Sequence, residues 1–115
     1  MGLVRFDEHE ENVIAGQYSA ARGPVLRSEK IEVAKIRFAK GEGAQWHAHP
    51  EEQVIYVLRG RLEVNLGEER YIVEPGQASY HPSNVPHAVR ALEDTEALSF
   101  KNVVNPQYPS TGELR

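Results

Sequence analysis

The sequence predicts a small all-β protein, built as an antiparallel sandwich or jelly roll. Short apolar or alternating runs recur along the chain, and Gly, Pro and Asn separate them at fairly even spacing. Such spacing favours these architectures, because antiparallel neighbours need only tight turns between them. Helical periodicity is weak everywhere, and only residues 7–14 are expected to form a turn of helix.

The individual strands are predicted from β-branched and aromatic content and from alternation. The apolar run 54–58 stops just before Gly60, and 61–66 then alternates apolar with polar residues, so the two runs are predicted to form a hairpin around Gly60. A Glu-Pro-Gly sequence at 74–76 is a strong turn signal, because Pro presets one dihedral angle and Gly permits the other. Further strands are predicted at 31–39, 70–73, 78–81, 87–92 and 96–104, followed by an extended tail over 105–115.

Length and composition limit the function classes. The 115 residues are expected to form one domain, with a core at about 25–104, an N-terminal strand segment and a C-terminal tail. The net charge of −4 and the scattered basic residues argue against nucleic acid. The absence of cysteine excludes disulfides and thiolate metal sites. No apolar run could span a bilayer and the N-terminus is charged, so the cytoplasm is the expected location, without a membrane partner.

Four residues stand out as candidate metal ligands. His47 and His49 are two positions apart, Gln53 follows at the start of the next strand, and His87 lies on a later one. On a strand, residues two apart face the same side, so the first two imidazoles are expected to point together. Three imidazoles and one amide oxygen suit a single divalent Fe, Mn, Ni, Co, Cu or Zn ion. Two histidines at this spacing also occur by chance, as ordinary core or surface residues.

The spacing around these residues resembles that of the cupin superfamily. Its first motif, G-x5-H-x-H-x3-E-x6-G, is similar to the stretch from Gly41 to Gly60, where Gln53 replaces the glutamate. Its second motif, G-x5-P-x-G-x2-H-x3-N, is similar to residues 76–91, where Asn84 replaces a glycine and an alanine ends the motif. The resemblance implies a double-stranded β-helix, a jelly-roll barrel with one metal ion. The ligands that it implies are His47, His49, Gln53 and His87.

The resemblance leaves three function classes open. The first is a metal-dependent isomerase, cyclase or lyase acting on a small polar or anionic substrate. The others are an Fe(II) dioxygenase and a non-enzymatic cupin that binds a small molecule or sugar. Similar small cupins include a uronate-opening group and a polyketide-cyclising group with a three-His-one-Gln ligand set. The uronate-opening group has an acid and an aromatic residue on the last core strand, where this sequence has Lys101 and Val103.

Four more residues are candidates for catalysis or substrate contact: His81, Lys101, Arg37 and Tyr56. His81 could act as an acid or base, or be an ordinary surface histidine. Arg37 and Lys101 lie in strands that otherwise look buried, and either would suit an anionic substrate if it pointed inward. Tyr56 could line a pocket or fill the core, as could the aromatic residues at 46, 80 and 100. A homodimer is expected, because an open sheet edge and an apolar face need covering.

Overall fold

A computed structural model describes residues 2–104 as two packed β-sheets with a single 3₁₀ turn, Phe6–Glu8. The all-β prediction is confirmed, and the arrangement is a jelly-roll sandwich. The expected tail over 105–115 lies outside the described residues. Within 2–104, no helix is long and apolar enough to cross a membrane. The strands are β1 (Asn12–Val13), β2 (Arg22–Gly23), β3 (Val25–Arg27), β4 (Ile31–Phe38), β5 (Gly43–His47), β6 (Gln53–Arg59), β7 (Leu62–Leu66), β8 (Glu69–Val73), β9 (Ala78–His81), β10 (His87–Ala91) and β11 (Thr95–Asn102).

The larger sheet has the order β1-β2-β4-β11-β6-β9, with β3 also paired to β4, and the smaller sheet has the order β5-β10-β7-β8. Their strands pair antiparallel. The longest ladder joins β4 and β11 over eight residues each. Strand β6 illustrates why the sheets stack: Gln53, Ile55 and Val57 are buried between them, while the residues that alternate with these face outward.

The predicted hairpin around Gly60 is wrong. Strand β6 pairs with β11 and β9, whereas β7 pairs with β10 and β8, so the chain crosses from one sheet to the other at this glycine. Gly60 has φ +90°, and a Cβ added there would lie 2.4 Å from Oγ1 of Thr95. The alternation predicted for 61–66 is observed in β7, where Leu62 and Val64 are buried. The choice of partner, however, depends on strands more than twenty positions away in the chain: β9 and β11 for β6, and β10 for β7.

Inward side chains at one end of the larger sheet form a row that crosses five strands. We call it the polar row; in order across β3, β4, β11, β6 and β9 it consists of Arg27, Glu32, Lys101, Gln53 and His81. The next inward row is Val25, Ala34, Ser99, Ile55 and Ser79, and all five are buried. The barrel therefore has a polar end, at which polar groups face its interior, above an otherwise mainly apolar core.

Candidate metal centre

Three histidines meet at the polar end of the barrel. His47 on β5 and His87 on β10 are paired across the smaller sheet, with ring centroids 4.3 Å apart. Strand β5 ends at His47, so His49 lies in the loop that follows and not on the strand, yet its ring centroid is 4.9 Å from that of His87. One nitrogen from each of the three rings lies within 4.8 Å of the others. The three side chains could therefore hold one metal ion.

Backbone contacts fix the tautomer of all three rings. Each Nδ1 lies 2.6–2.9 Å from the backbone carbonyl oxygen of a residue two positions away in the chain. A carbonyl oxygen can only accept, so each neutral ring donates from Nδ1 and keeps the lone pair on Nε2. A second ring nitrogen held in this way is typical of histidines that ligate metals.

The Nε2 atoms of His49 and His87 are buried without a hydrogen-bond partner among the described residues. Buried polar atoms without partners are rare and costly, so two side by side need an explanation. Burial also lowers the pKa of His47 and His49, and it lowers the pKa of His87 to about 4, which keeps the lone pairs available at neutral pH. Converging, neutral and unpaired imidazole nitrogens are the donor set that a borderline divalent cation prefers. The residues present therefore fit a metal ion.

Gln53 faces the histidines from the larger sheet. Its side chain is 8% exposed and its amide nitrogen donates to Oγ of Ser99 at 2.8 Å. Its Oε1 lies 3.3 Å from Nδ1 of His81. Neighbouring Glu52 points outward, where its carboxylate accepts a hydrogen bond from Tyr80 at 2.5 Å, as strand alternation predicts. Of these two residues, it is therefore Gln53 whose side chain faces the histidines.

His81 is fully buried behind Gln53, and its ring centroid is 4.3 Å from that of His87. Its Nε2 lies 2.7 Å from Oγ of Ser79, which lies 2.6 Å from the hydroxyl of Tyr71. Burial, with the neighbouring His87 next in importance, lowers the pKa of His81 to about 3. The ring is therefore neutral, accepting from Ser79 at Nε2 and donating to Gln53 from Nδ1.

The other candidates separate into an inward and an outward group. Lys101 belongs to the polar row and faces the interior. Arg37 lies on the outer face of β4 and forms an ion pair with Glu11. Tyr56 lies on the outer face of β6 with 39% of its surface exposed. Arg37 and Tyr56 are therefore not brought to the histidines. The aromatic residues at 46, 80 and 100 are also exposed.

Sequence reasoning missed Tyr18, whose ring stacks on that of His47 with centroids 3.8 Å apart and planes at 16°. It reaches the site from the segment between β1 and β2, outside both motifs, and no local pattern marks it. A cavity of about 730 Å³ opens beside Tyr18, His49 and Lys101. A smaller interior pocket of about 40 Å³ continues to His47, Gln53 and His87. A small molecule can thus approach the cluster from this side.

The cupin-domain family profile matches residues 34–104. The chain belongs to the cupin family. A curated relative of this cupin is the polyketide synthase CurC of Streptomyces cyaneus, 38% identical over 58 residues. That match spans 50% of this cupin but only 38% of the relative's length.

Solved structures also resemble this cupin. KdgF from a Halomonas species superposes with a TM-score of 0.78 at 22% identity, over 89% of this chain and 93% of that one. An RmlC-like cupin from Shewanella frigidimarina NCIMB 400 gives a TM-score of 0.73 at 22% identity, over 89% and 90% of the two chains. At these identities the likeness establishes the shared fold alone.

Proposed function

We propose that this cupin is an enzyme of the isomerase, cyclase or lyase type that acts on a small polar or anionic substrate. It would use one divalent transition metal ion held by His47, His49, Gln53 and His87. The observation that carries the proposal is the pair of buried Nε2 atoms, on His49 and His87, that have no partner among the described residues. The short match to a polyketide synthase also supports a reaction on a small organic substrate.

When bound, the metal would supply a Lewis acid for a carbonyl, enol or carboxylate oxygen of the substrate. The chain itself holds the three imidazoles neutral by burial and orients them through their Nδ1 hydrogen bonds. With Gln53 in place of a carboxylate, all four proposed ligands are neutral. The site would then keep the full charge of the cation, which favours an anionic oxygen as the incoming group.

Elemental analysis of protein purified without a His-tag or added metal tests the proposal. We expect near-stoichiometric transition metal in the wild type and in His9→Ala, a control histidine in the N-terminal segment. His87→Ala and Gln53→Ala should lose most of it, because one ligand position is left empty. Full occupancy in either variant would overturn the ligand assignment. A wild type that holds no metal and takes none up would overturn the metal-dependent function and favour a binding module.

We also propose that this cupin forms a homodimer through the outer face of its larger sheet. Phe100, Val54 and Tyr80 are neighbours across β11, β6 and β9, and Leu98 and Tyr56 are paired beside them. Phe100, Tyr56 and Tyr80 are each at least 39% exposed. A contiguous apolar patch on a sheet is typical of a surface that a second subunit covers.

A further inference from the structure

We propose that Tyr18 is a positioning residue: its ring holds that of His47 in the orientation of a metal ligand, and so joins the proposed metal centre to the wall of the large cavity. The inference rests on the proposed function and concerns how that site is held together. Metal binding and the order of the cavity wall should therefore depend on each other.

The contact between the two rings carries the first step. Their centroids lie 3.8 Å apart and their planes are 16° from parallel, so the phenol ring covers one face of the imidazole of His47. The ring of His87 meets the same imidazole at 66°, with centroids 4.3 Å apart. Two contacts at such different angles define both the position and the plane of the His47 ring.

His47 needs this support more than the other two histidines do. His49 and His87 are 8% and 2% exposed, whereas His47 ends β5 and is only half-buried. Its Nδ1 donates to the backbone oxygen of Gln45 at 2.6 Å, a contact that fixes the tautomer but lets the ring tilt about it. Because a metal ligand must keep its lone pair aimed at the ion, a stacked neighbour that prevents this tilt favours binding.

The backbone around Tyr18 fixes where its ring lies. The amide of Tyr18 donates to the carbonyl oxygen of Ala15 at 3.1 Å, which closes a tight turn. Ala15 has φ +53°, a conformation that a residue with a Cβ seldom adopts, so its surroundings must impose it. The carbonyl oxygen of Tyr18 then accepts from the amide of Gln45 at 2.8 Å. Tyr18 is thus tied to β5, the strand that carries His47.

The same turn forms one wall of the large cavity. Residues 13–18 all line it, and Tyr18 also lines the small pocket that reaches His47. An imidazole that ligates a cation is electron-poor, so its attraction to the electron-rich face of the phenol ring should increase. Because such coupling is reciprocal, a contact that favours metal binding is itself favoured by the metal. A bound metal should therefore hold residues 13–18 in place.

Competition with a chelating dye for nickel tests the contact. Tyr18→Leu removes the ring and should weaken nickel binding about 3- to 10-fold, the factor to which a stacked aromatic pair amounts. Tyr18→Phe keeps the ring and should retain the wild-type affinity. The matched control is Phe6→Leu, which removes an aromatic ring that contacts His9, a histidine outside the proposed ligand set. It should leave nickel binding unchanged.

Amide hydrogen exchange separates positioning from a merely structural role. With each protein saturated, nickel should slow exchange at residues 13–20 in the wild type and in Tyr18→Phe, and slow it less in Tyr18→Leu. A side chain that only filled space would alter the exchange of this segment equally with and without the metal. If circular dichroism shows that Tyr18→Leu is unfolded, Tyr18→Met takes its place in both measurements.

Three outcomes would overturn the inference. They are wild-type nickel affinity in Tyr18→Leu, an equal loss of affinity in Tyr18→Phe, and exchange at residues 13–20 that nickel does not slow in the wild type. The second would assign the effect to the hydroxyl group and not to the ring.

A wild type that takes up no nickel would instead defeat the proposed function. Nuclear magnetic resonance of the metal-free protein then decides the contact alone. The ring protons of His47 should be shifted upfield in the wild type and in Tyr18→Phe, because an aromatic ring covers them, and Tyr18→Leu should remove the shift. An unchanged shift in Tyr18→Leu would show that Tyr18 does not position His47.

Discussion

The Nδ1 atom of His81 lies 3.3 Å from Oε1 of Gln53, at paired positions of β9 and β6. His81 is fully buried and its other ring nitrogen accepts from Ser79, so the neutral ring donates toward Gln53. Ser99 accepts from the amide nitrogen of Gln53 at 2.8 Å. The amide is therefore held at both ends, which orients the remaining lone pair of Oε1.

We expect His81→Leu to weaken metal binding by about 10- to 100-fold, the usual effect of losing a group that orients a ligand. His81→Asn should retain more of the affinity, because its amide can still donate to Gln53. Competition with a chelating dye measures the affinity, and the visible spectrum of the cobalt-loaded protein reports the ligand geometry. If His81→Leu kept both the affinity and the spectrum of the wild type, Gln53 would be held without His81.

Metal should stabilise the folded protein. A ligand that binds only the native state adds about 2.7 kcal/mol at a free concentration of about 100 times its dissociation constant. We expect thermal unfolding of the wild type and of His9→Ala to shift upward on addition of nickel, and that of His47→Ala to shift little. The metal-free proteins should unfold at similar temperatures, because most of the barrel core lies away from the cluster. An equal upward shift in His47→Ala would place the metal elsewhere.

The metal-free protein should lose stability as the pH falls from about 6.5 toward 4. Burial lowers the pKa of His81 to about 3 and that of His87 to about 4, whereas an unfolded histidine has a pKa of about 6.5. At pH values between the folded and unfolded pKa, the unfolded chain binds more protons than the folded one. Acidification therefore favours unfolding, by up to about 1.4 kcal/mol per pH unit for each histidine. Urea unfolding at several pH values measures this slope. We expect the slope to be shallower in His87→Gln than in the wild type. Equal slopes in the two proteins would contradict the lowered pKa of His87.

The double variant Tyr56→Glu/Phe100→Glu should be a monomer, because two carboxylates on each subunit would be buried in the proposed interface. Light scattering at micromolar concentration measures the mass. Ile72→Glu is the matched control, since Ile72 is 43% exposed on β8 of the smaller sheet. A monomeric wild type would contradict the proposed homodimer. Dissociation caused by Ile72→Glu alone would place the interface on the other sheet.

Gly43→Ala should weaken both the fold and the site. A Cβ at Gly43 would lie 1.9 Å from the carbonyl oxygen of Val89 on β10, the strand that pairs with β5. Because these two strands carry His47 and His87, separating them moves two proposed ligands apart. We expect a lower unfolding temperature and weaker nickel binding than in Gly16→Ala, where the new Cβ meets only a methyl group of Val13 at 3.3 Å. Unchanged nickel binding would show that the site tolerates this shift.

Local patterns predicted the strands well. The stretch predicted at 78–81 is observed as Ala78–His81, and the one at 31–39 as Ile31–Phe38. Asn84, which replaces a glycine of the motif, has φ +63°, a value that asparagine tolerates. These features follow from backbone preference and alternation, which act over a few residues. Strands β1 to β3 were predicted only as an N-terminal strand segment without bounds, because two or three residues give too little alternation, and β5 was not predicted as a strand.

The sequence by itself determined the all-β class, the family and the residues that could ligate a metal, because these depend on residue type, spacing and alternation. Only the tertiary structure decided which side chains face one another. It placed Tyr18 on His47, His81 behind Gln53 and Lys101 in the cavity, and it turned Arg37 and Tyr56 outward. The physical reason is that strand pairing and sheet stacking join residues far apart in the chain, and no local preference encodes such contacts.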